Sequence, residues 1–264
     1  MNKKRYKKLS AFLLPGLLGL ALFFMLPLII TIFLSFRGSG GPLFHYRQVL
    51  SSKAFQLALQ NTLKLIAAGI PTAVIGGILL AVLFQAMLRK RLPGTRLLFL
   101  MYLLPLVLPS AVVAFFAELL FPFREAPQVG YLVTGIYIWK NIPYVLLVAF
   151  LGLRSIPIDV SGAAKLDGAN GMQLLRYIIL PYLKPYLLVG IVLALLGVFR
   201  IYRDSYLLFG NYPDQSVYYL QNYMNNLFYS FSYGQVAAAS DLFLAGLSIL
   251  LITALYSLGK GEGH

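Results

Sequence analysis

Long apolar stretches alternate with short polar ones along this chain. Six largely apolar runs stand out, at residues 9–36, 55–87, 97–121, 131–153, 185–208 and 233–258. About 20 consecutive apolar residues cross the hydrocarbon core as a helix. Lipid also requires backbone groups to be paired within helices or closed barrels. The period-two alternation of a barrel strand is absent, so the pattern predicts an all-α polytopic membrane protein. We expect six transmembrane helices in one transmembrane domain over residues 1–264. A polar island at about 154–184 interrupts the pattern, between the fourth and fifth runs.

Several runs carry helix-disturbing prolines: Pro27, Pro71, Pro105 with Pro109, and Pro143. A break facing lipid would leave backbone groups unpaired, so these helices are expected to pack against protein or line a wet path. The second run also places Gly69, Ala73, Gly77 and Ala81 at four-residue spacing, a stripe that lets another helix approach closely.

Composition agrees with the pattern. The chain is 59% hydrophobic and 11% charged, against roughly 25% charged in ordinary soluble domains, and its mean hydropathy is +0.79. It has no cysteine, which removes disulfides and thiolate sites. The net charge of +14 matters through its distribution. One set of loops and tails holds Lys3, Lys4, Arg5, Lys7, Lys8, Arg89, Lys90, Arg91, Arg96, Arg154, Lys165, Arg176, Lys184 and Lys260, fourteen in all. The opposite set holds six: Arg37, Arg47, Lys53, Arg124, Arg200 and Arg203. The positive-inside rule therefore puts both termini in the cytoplasm, and membrane topology accounts for the basic balance without nucleic acid. The first run exceeds a signal peptide's h-region of about 7–15 residues and lacks a convincing cleavage pattern before Arg37, so it is expected to be retained.

The island has its own local grammar. Pro157 suits a first helical turn, Asp159 complements the N-terminal dipole, and Gly168 supplies a stop. Asn170 with Gln173 three residues on forms a capping-box pattern for a second short helix, expected to end before Leu180-Pro181 because proline biases its predecessor away from helix. The result is a helix-turn-helix at the cytoplasmic surface. Its small residues Gly162, Ala163, Ala164, Gly168 and Ala169 permit close approach to a partner.

The stretch Gly162-Ala163-Ala164-Lys165-Leu166-Asp167-Gly168-Ala169, followed by Ile178-Ile179-Leu180-Pro181, resembles the coupling motif of permease subunits of binding-protein-dependent ABC importers. Asp167-Gly168-Ala169 is similar to the variant of its carbohydrate-uptake branch, the maltose/glycerol-phosphate-permease-like group. Support extends along the chain, through Ser155-Ile156-Pro157, Asn61-Thr62-Leu63, the arginine-rich turn before the third run, and Tyr233 to Ala238. Two departures are visible. Gly162 stands where the family has glutamate, so an ion pair with the ATPase is lost or falls to Asp159 or Asp167. The stretch from Pro122 to Gly130 is also short.

The resemblance implies the type I ABC importer permease fold with a cytoplasmic coupling helix, in a bacterial or archaeal cell membrane. It implies a second homologous permease, two ATPase subunits that hold ATP and magnesium, and an extracytoplasmic binding protein that delivers the cargo. It assigns ATPase coupling to Asp159, Gly162, Ala163, Ala164, Lys165, Asp167, Gly168 and Ala169. The chain itself is expected to bind no cofactor and to be no enzyme: it has no phosphate loop, and Gly259-Lys260 lacks the upstream glycine.

Ionisable groups at membrane depth usually face a bundle interior or a wet cavity. Glu118, Lys140 and Asp241 are the clearest cases, and two readings stand. Glu118, Lys140, Asn141 and Asp241 line a sugar path, or Glu118 and Lys140 form a structural ion pair toward the outer ends of their spans. Arg200, Arg203 and Asp204 share one helix face, which suits a contact with the binding protein, a contact with an acidic sugar or a solvated cluster, and Tyr206 is a pathway candidate among tyrosines that an interfacial belt otherwise explains. The candidate pathway is then Asn61, Glu118, Lys140, Asn141, Arg203, Asp204 and Tyr206. His45 and His264 are too isolated for a metal site. Rival classes fare worse: a secondary transporter needs symmetric broken helices, and the metalloprotease and serine-hydrolase motifs are missing. The same permease class with an anionic cargo, such as an acidic sugar or a glycerol phosphate derivative, stays open because Lys140, Arg200 and Arg203 suit an anion.

Overall fold

The computed structural model describes residues 13–122 and 127–259. Lys3, Lys4, Arg5, Lys7, Lys8, Arg124 and Lys260 of the charge count lie outside them. Regular structure among the described residues is helical throughout: α1 (Leu13–Phe36), α2 (Phe44–Ser51), α3 (Lys53–Arg89), α4 (Thr95–Leu103), α5 (Ser110–Leu120), α6 (Gln128–Ser155), α7 (Ile158–Leu166), α8 (Gly171–Phe209), α9 (Leu220–Tyr229) and α10 (Tyr233–Gly259). Five helices are long and apolar enough to cross a membrane, and α4 with α5 makes a sixth candidate bent by 99°. The chain forms two compact units, Met1–Gln56 with Met224–Leu247, and Leu57–Tyr223 with Ser248–His264.

In the larger unit the packing itself defines the directions of the helices. A Cβ on Gly69 would meet the ring of Tyr137, one on Gly77 would meet Val145, and Gln85 Nε2 donates to the Leu153 carbonyl at 3.3 Å. All three pairs are 68 residues apart, so α3 and α6 run parallel, and the four-residue stripe on α3 is the seam. Ala73 and Ala81 on the same stripe are fully buried. Contacts between α6 and α8 run the other way: Gly152 meets Leu183 and Tyr186, Gly190 meets Val145, and Gly197 meets Asn141. Tyr137 ties the pair by donating to the Ala194 carbonyl at 2.8 Å. Two parallel helices in sequence require the chain between them to travel back along their length. The bent pair α4–α5 is that return path, which makes it the third crossing of a six-helix fold. Around the seam, Ala81, Phe84, Leu146, Ala149, Leu153 and Leu183 form a buried cluster.

The third crossing is therefore not the continuous span expected at 97–121. After α4 the chain tightens into a 3₁₀ turn at Leu104–Leu106 and becomes extended at Pro109, whose ψ is 144°. Pro105 and Pro109 both lack an N–H, and Pro109 disfavours helix at Leu108. Ser110 then opens α5.

Two prolines behave differently from expectation. Leu180 is helical, with φ −62° and ψ −43°, so the second island helix does not end before Leu180-Pro181 but runs on through them as the first turns of α8. A π-turn at Leu175–Ile179 makes this possible, with Leu180 N–H donating to the Leu175 carbonyl. A helical proline has no N–H to donate and its ring crowds the carbonyl four residues earlier, and here the turn just ahead of it is bonded over five residues rather than four. The same device recurs in α1, where a π-turn at Ala21–Met25 precedes Leu26-Pro27.

In the smaller unit, Tyr46 of α2 donates its hydroxyl to Asp241 of α10 at 2.9 Å and lies 2.9 Å from the buried Ser35 hydroxyl of α1.

Candidate functional site

A cleft of about 480 Å³ opens in the larger unit where the break between α4 and α5 faces α6 and α8. Lys140 is its centre. Its ammonium donates to both oxygens of Asp204 at 2.8 and 3.0 Å and to Ser110 Oγ at 3.0 Å. Asp204 is 1% exposed and Lys140 18%. One cation thus clips three elements together: the mouth of α5, the middle of α6 and the C-terminal part of α8. Lys140 stands twelve residues into α6, about 18 Å of helical rise, so it is not near a span end.

One turn away on α8, Arg200 is held by α6. Its guanidinium lies 4.5 Å from the centroid of the Tyr144 ring and donates to the Tyr144 hydroxyl. Longer contacts reach the Leu193 carbonyl at 3.4 Å and Asn141 Oδ1 at 3.5 Å. Asn141 is itself fixed by donating to the Tyr137 carbonyl at 2.7 Å. Gly197 is required here, because a Cβ would occupy the space of the Asn141 amide. Arg203 is exposed and lines the cleft with Tyr202 and Gln221. The Gln221 amide oxygen is buried without a hydrogen-bond partner.

The structure brings together Lys140, Asn141, Arg203 and Asp204 of the candidate pathway residues. The others stand elsewhere. Asn61 is buried and donates to the carbonyls of Gln215 and Tyr218 at 2.6 and 3.1 Å, so it pins the turn ahead of α9. Glu118 is exposed on α5, two turns beyond Ser110, and the acid paired with Lys140 is Asp204. Tyr206 lies outside the cleft, its ring 5.8 Å from Tyr202. Asp241 belongs to the smaller unit and takes the Tyr46 hydroxyl. Sequence reasoning missed Ser110, Tyr144 and Gln221. Tyr144 had a signal, since it lies four residues from Lys140 on the same helical face. Ser110, directly after Pro109, had the weaker signal of a helix start, and Gln221 had none.

The island forms the second candidate region. α7 ends with Asp167 N–H making a last helical bond to the Ala163 carbonyl at 2.9 Å, after which Ala169 N–H donates back to the Ala164 carbonyl at 2.9 Å, the six-to-one bond of a Schellman turn, with Gly168 at φ +81°. The capping box is complete, Asn170 and Gln173 exchanging bonds of 2.8 and 2.9 Å. Asp159, Gly162, Ala163, Asp167 and Gly168 are exposed, and Ala164 and Ala169 half-buried; Lys165 lies on α7. Among the described residues nothing stands within 4 Å of where a Gly162 side chain would begin. The turn's apolar side chains point outward, with Leu166 91%, Met172 70% and Tyr177 69% exposed.

Residues 73–260 match the family described as the inner membrane component of binding-protein-dependent transport systems. Among curated relatives, the trehalose/maltose transport system permease MalF of Thermococcus litoralis is 27% identical over 229 residues, covering 79% of this chain and 76% of the relative. The trehalose transport system permease SugA of Mycobacterium tuberculosis is 26% identical over 227 residues, covering 78% and 71%. A crystal structure of a bacterial ABC transporter involved in importing the acidic polysaccharide alginate has a chain of the same fold. It superposes with a TM-score of 0.78 at 21% identity, covering 97% of this chain and 96% of that one. With the matched region spanning most of the chain and all of the cleft, this is a multi-pass membrane protein that belongs to the binding-protein-dependent transport system inner membrane component family.

Proposed function

We propose that this chain is the permease subunit of an ATP-driven importer that moves a saccharide into the cytoplasm by alternating access. A second permease completes the pathway, two ATPase subunits supply the energy and hold the nucleotide and its magnesium, and an extracytoplasmic binding protein delivers the cargo. Both termini lie in the cytoplasm, which also puts the α7 turn on the ATPase side. The observation that carries the reading is this turn: its backbone is closed by its own caps, while Leu166, Met172 and Tyr177 are left uncovered. A rigid, polar-backed segment with exposed apolar side chains fits a groove on a protein partner. The names of the curated relatives support a saccharide cargo, as does a cleft lined by hydrogen-bonding and aromatic side chains.

The test is reconstitution. The tagged chain, purified from its native membrane, is expected to bring down a subunit with a phosphate-loop ATPase. Proteoliposomes of that complex should accumulate labelled saccharide only with ATP and the binding protein present. Saccharide-driven ion flux through the chain alone, without nucleotide, would overturn the proposal.

A further inference from the structure

Polar groups in the cleft divide into those already engaged and those left open. Lys140 is neutralised by Asp204. Arg200 is occupied by Tyr144, Leu193 and Asn141. Arg203 makes no hydrogen bond or ion pair among the described residues, although it lines the same cleft. Opposite in character is Gln221, whose amide oxygen is buried and unpartnered and whose residue also lines the cleft. A buried acceptor without a donor is unfavourable, and a hydroxyl from a bound molecule would relieve it. The charges of the lining do not cancel either: Lys140, Arg200 and Arg203 face the single carboxylate of Asp204.

We infer that the cleft takes a saccharide carrying an anionic group, with Arg203 holding the anion and the Gln221 oxygen accepting from a sugar hydroxyl. This deepens the proposed function and rests on its saccharide reading. A guanidinium offers the paired donors that suit both carboxylate and phosphate oxygens, so uronic acids and sugar phosphates share the required chemistry. Lys140 has a different part in this arrangement. It keeps Ser110 and Asp204 in place while Arg203 meets the ligand, so Arg203 is the specificity-determining residue.

The experiment measures binding to the whole transporter complex in nanodiscs, without the binding protein, using digalacturonate, glucose 6-phosphate and neutral maltose as probes. At low salt an acidic probe should bind about tenfold more tightly than maltose, the order expected of one charge-assisted contact. Arg203→Gln should erase that preference while leaving the melting temperature unaltered. Preference for digalacturonate supports a uronate source and preference for glucose 6-phosphate a phosphate source. Gln221→Leu should weaken acidic and neutral probes alike, and unaltered binding there would overturn its role as acceptor. Equal binding of all probes, unaltered by Arg203→Gln, would overturn the anionic assignment and leave the saccharide reading intact. Maltose binding with no acidic probe bound would do the same, whereas binding of none of the three would overturn both.

Discussion

In the cleft, polar side chains hold one another: Lys140 grips Asp204 and Ser110, and Arg200 lies on Tyr144. At the α7 turn the arrangement is reversed, for there the backbone is closed by Gly168 and by the Asn170 and Gln173 side chains, and Leu166, Met172 and Tyr177 are left largely exposed. The difference follows from the surroundings. A charge at membrane depth must be paired inside the protein, so Lys140 and Arg200 are engaged before any ligand arrives, and the cation left open, Arg203, is an exposed one. A surface turn has water to satisfy what it leaves open, and the sites it leaves open are then free for a partner. Damage to the cleft should therefore be felt first as instability, and damage to the turn first as loss of assembly.

The largest effect on this view comes from Asp204→Ala. It strands the Lys140 ammonium, and removing one member of a buried ion pair costs about 3–5 kcal/mol. We expect a large fall in the melting temperature of the detergent-solubilised chain. Replacing both members, Lys140→Met with Asp204→Leu, should recover most of that loss, because no charge is then left unpaired. A double variant as unstable as Asp204→Ala alone would show that packing around the carboxylate matters, and not the pair.

How far each region was legible in the sequence follows the same division. Gly168, Asn170 and Gln173 act on backbone groups within three or four residues, so spacing alone revealed the caps of the turn. The small-residue stripe on α3 declared a packing seam, but not its partner. Lys140 stood out by its charge, yet Asp204 lies 64 residues further along, and only the antiparallel course of α6 and α8 joins them. Glu118 offered a nearer acid in sequence and was placed elsewhere by the bend before Ser110. The π-turn ahead of Pro181 was illegible for another reason. Proline's bias against helix at Leu180 is a local preference of the residue before it, and Leu180 takes helical angles all the same because the helix on either side carries through it.

An intermediate effect is expected at the α3–α6 seam. A Cβ on Gly77 would press on Val145 and the Leu146 backbone, contacts with no flexible side-chain end to yield. Gly77→Val should cost about 1–3 kcal/mol by overpacking, read as a lower melting temperature. Gly162→Val, also a glycine on a helix but with open space where its Cβ would stand, should leave melting nearly unaltered. Equal losses in the two variants would erase the distinction between the membrane seam and the turn.

The smallest effect on the fold and the sharpest test of the comparison is Leu166→Asp. The side chain is 91% exposed, and a surface substitution without neighbours usually changes stability by less than about 0.5 kcal/mol. The charge also falls at the C-terminal end of a short helix, where an acid is disfavoured by a few tenths of a kcal/mol, so a marginal drop in melting is consistent with the reading. In the assembled transporter the same change would force a carboxylate against whatever covers Leu166, and a desolvated, unpaired charge is costly. Co-purification of the ATPase should fall sharply while the variant chain keeps its membrane level and melting temperature. Full ATPase recovery with Leu166→Asp would mean that the uncovered side chains of the turn are not where the partner binds. The exposure of Leu166, Met172 and Tyr177 would then need another explanation than docking.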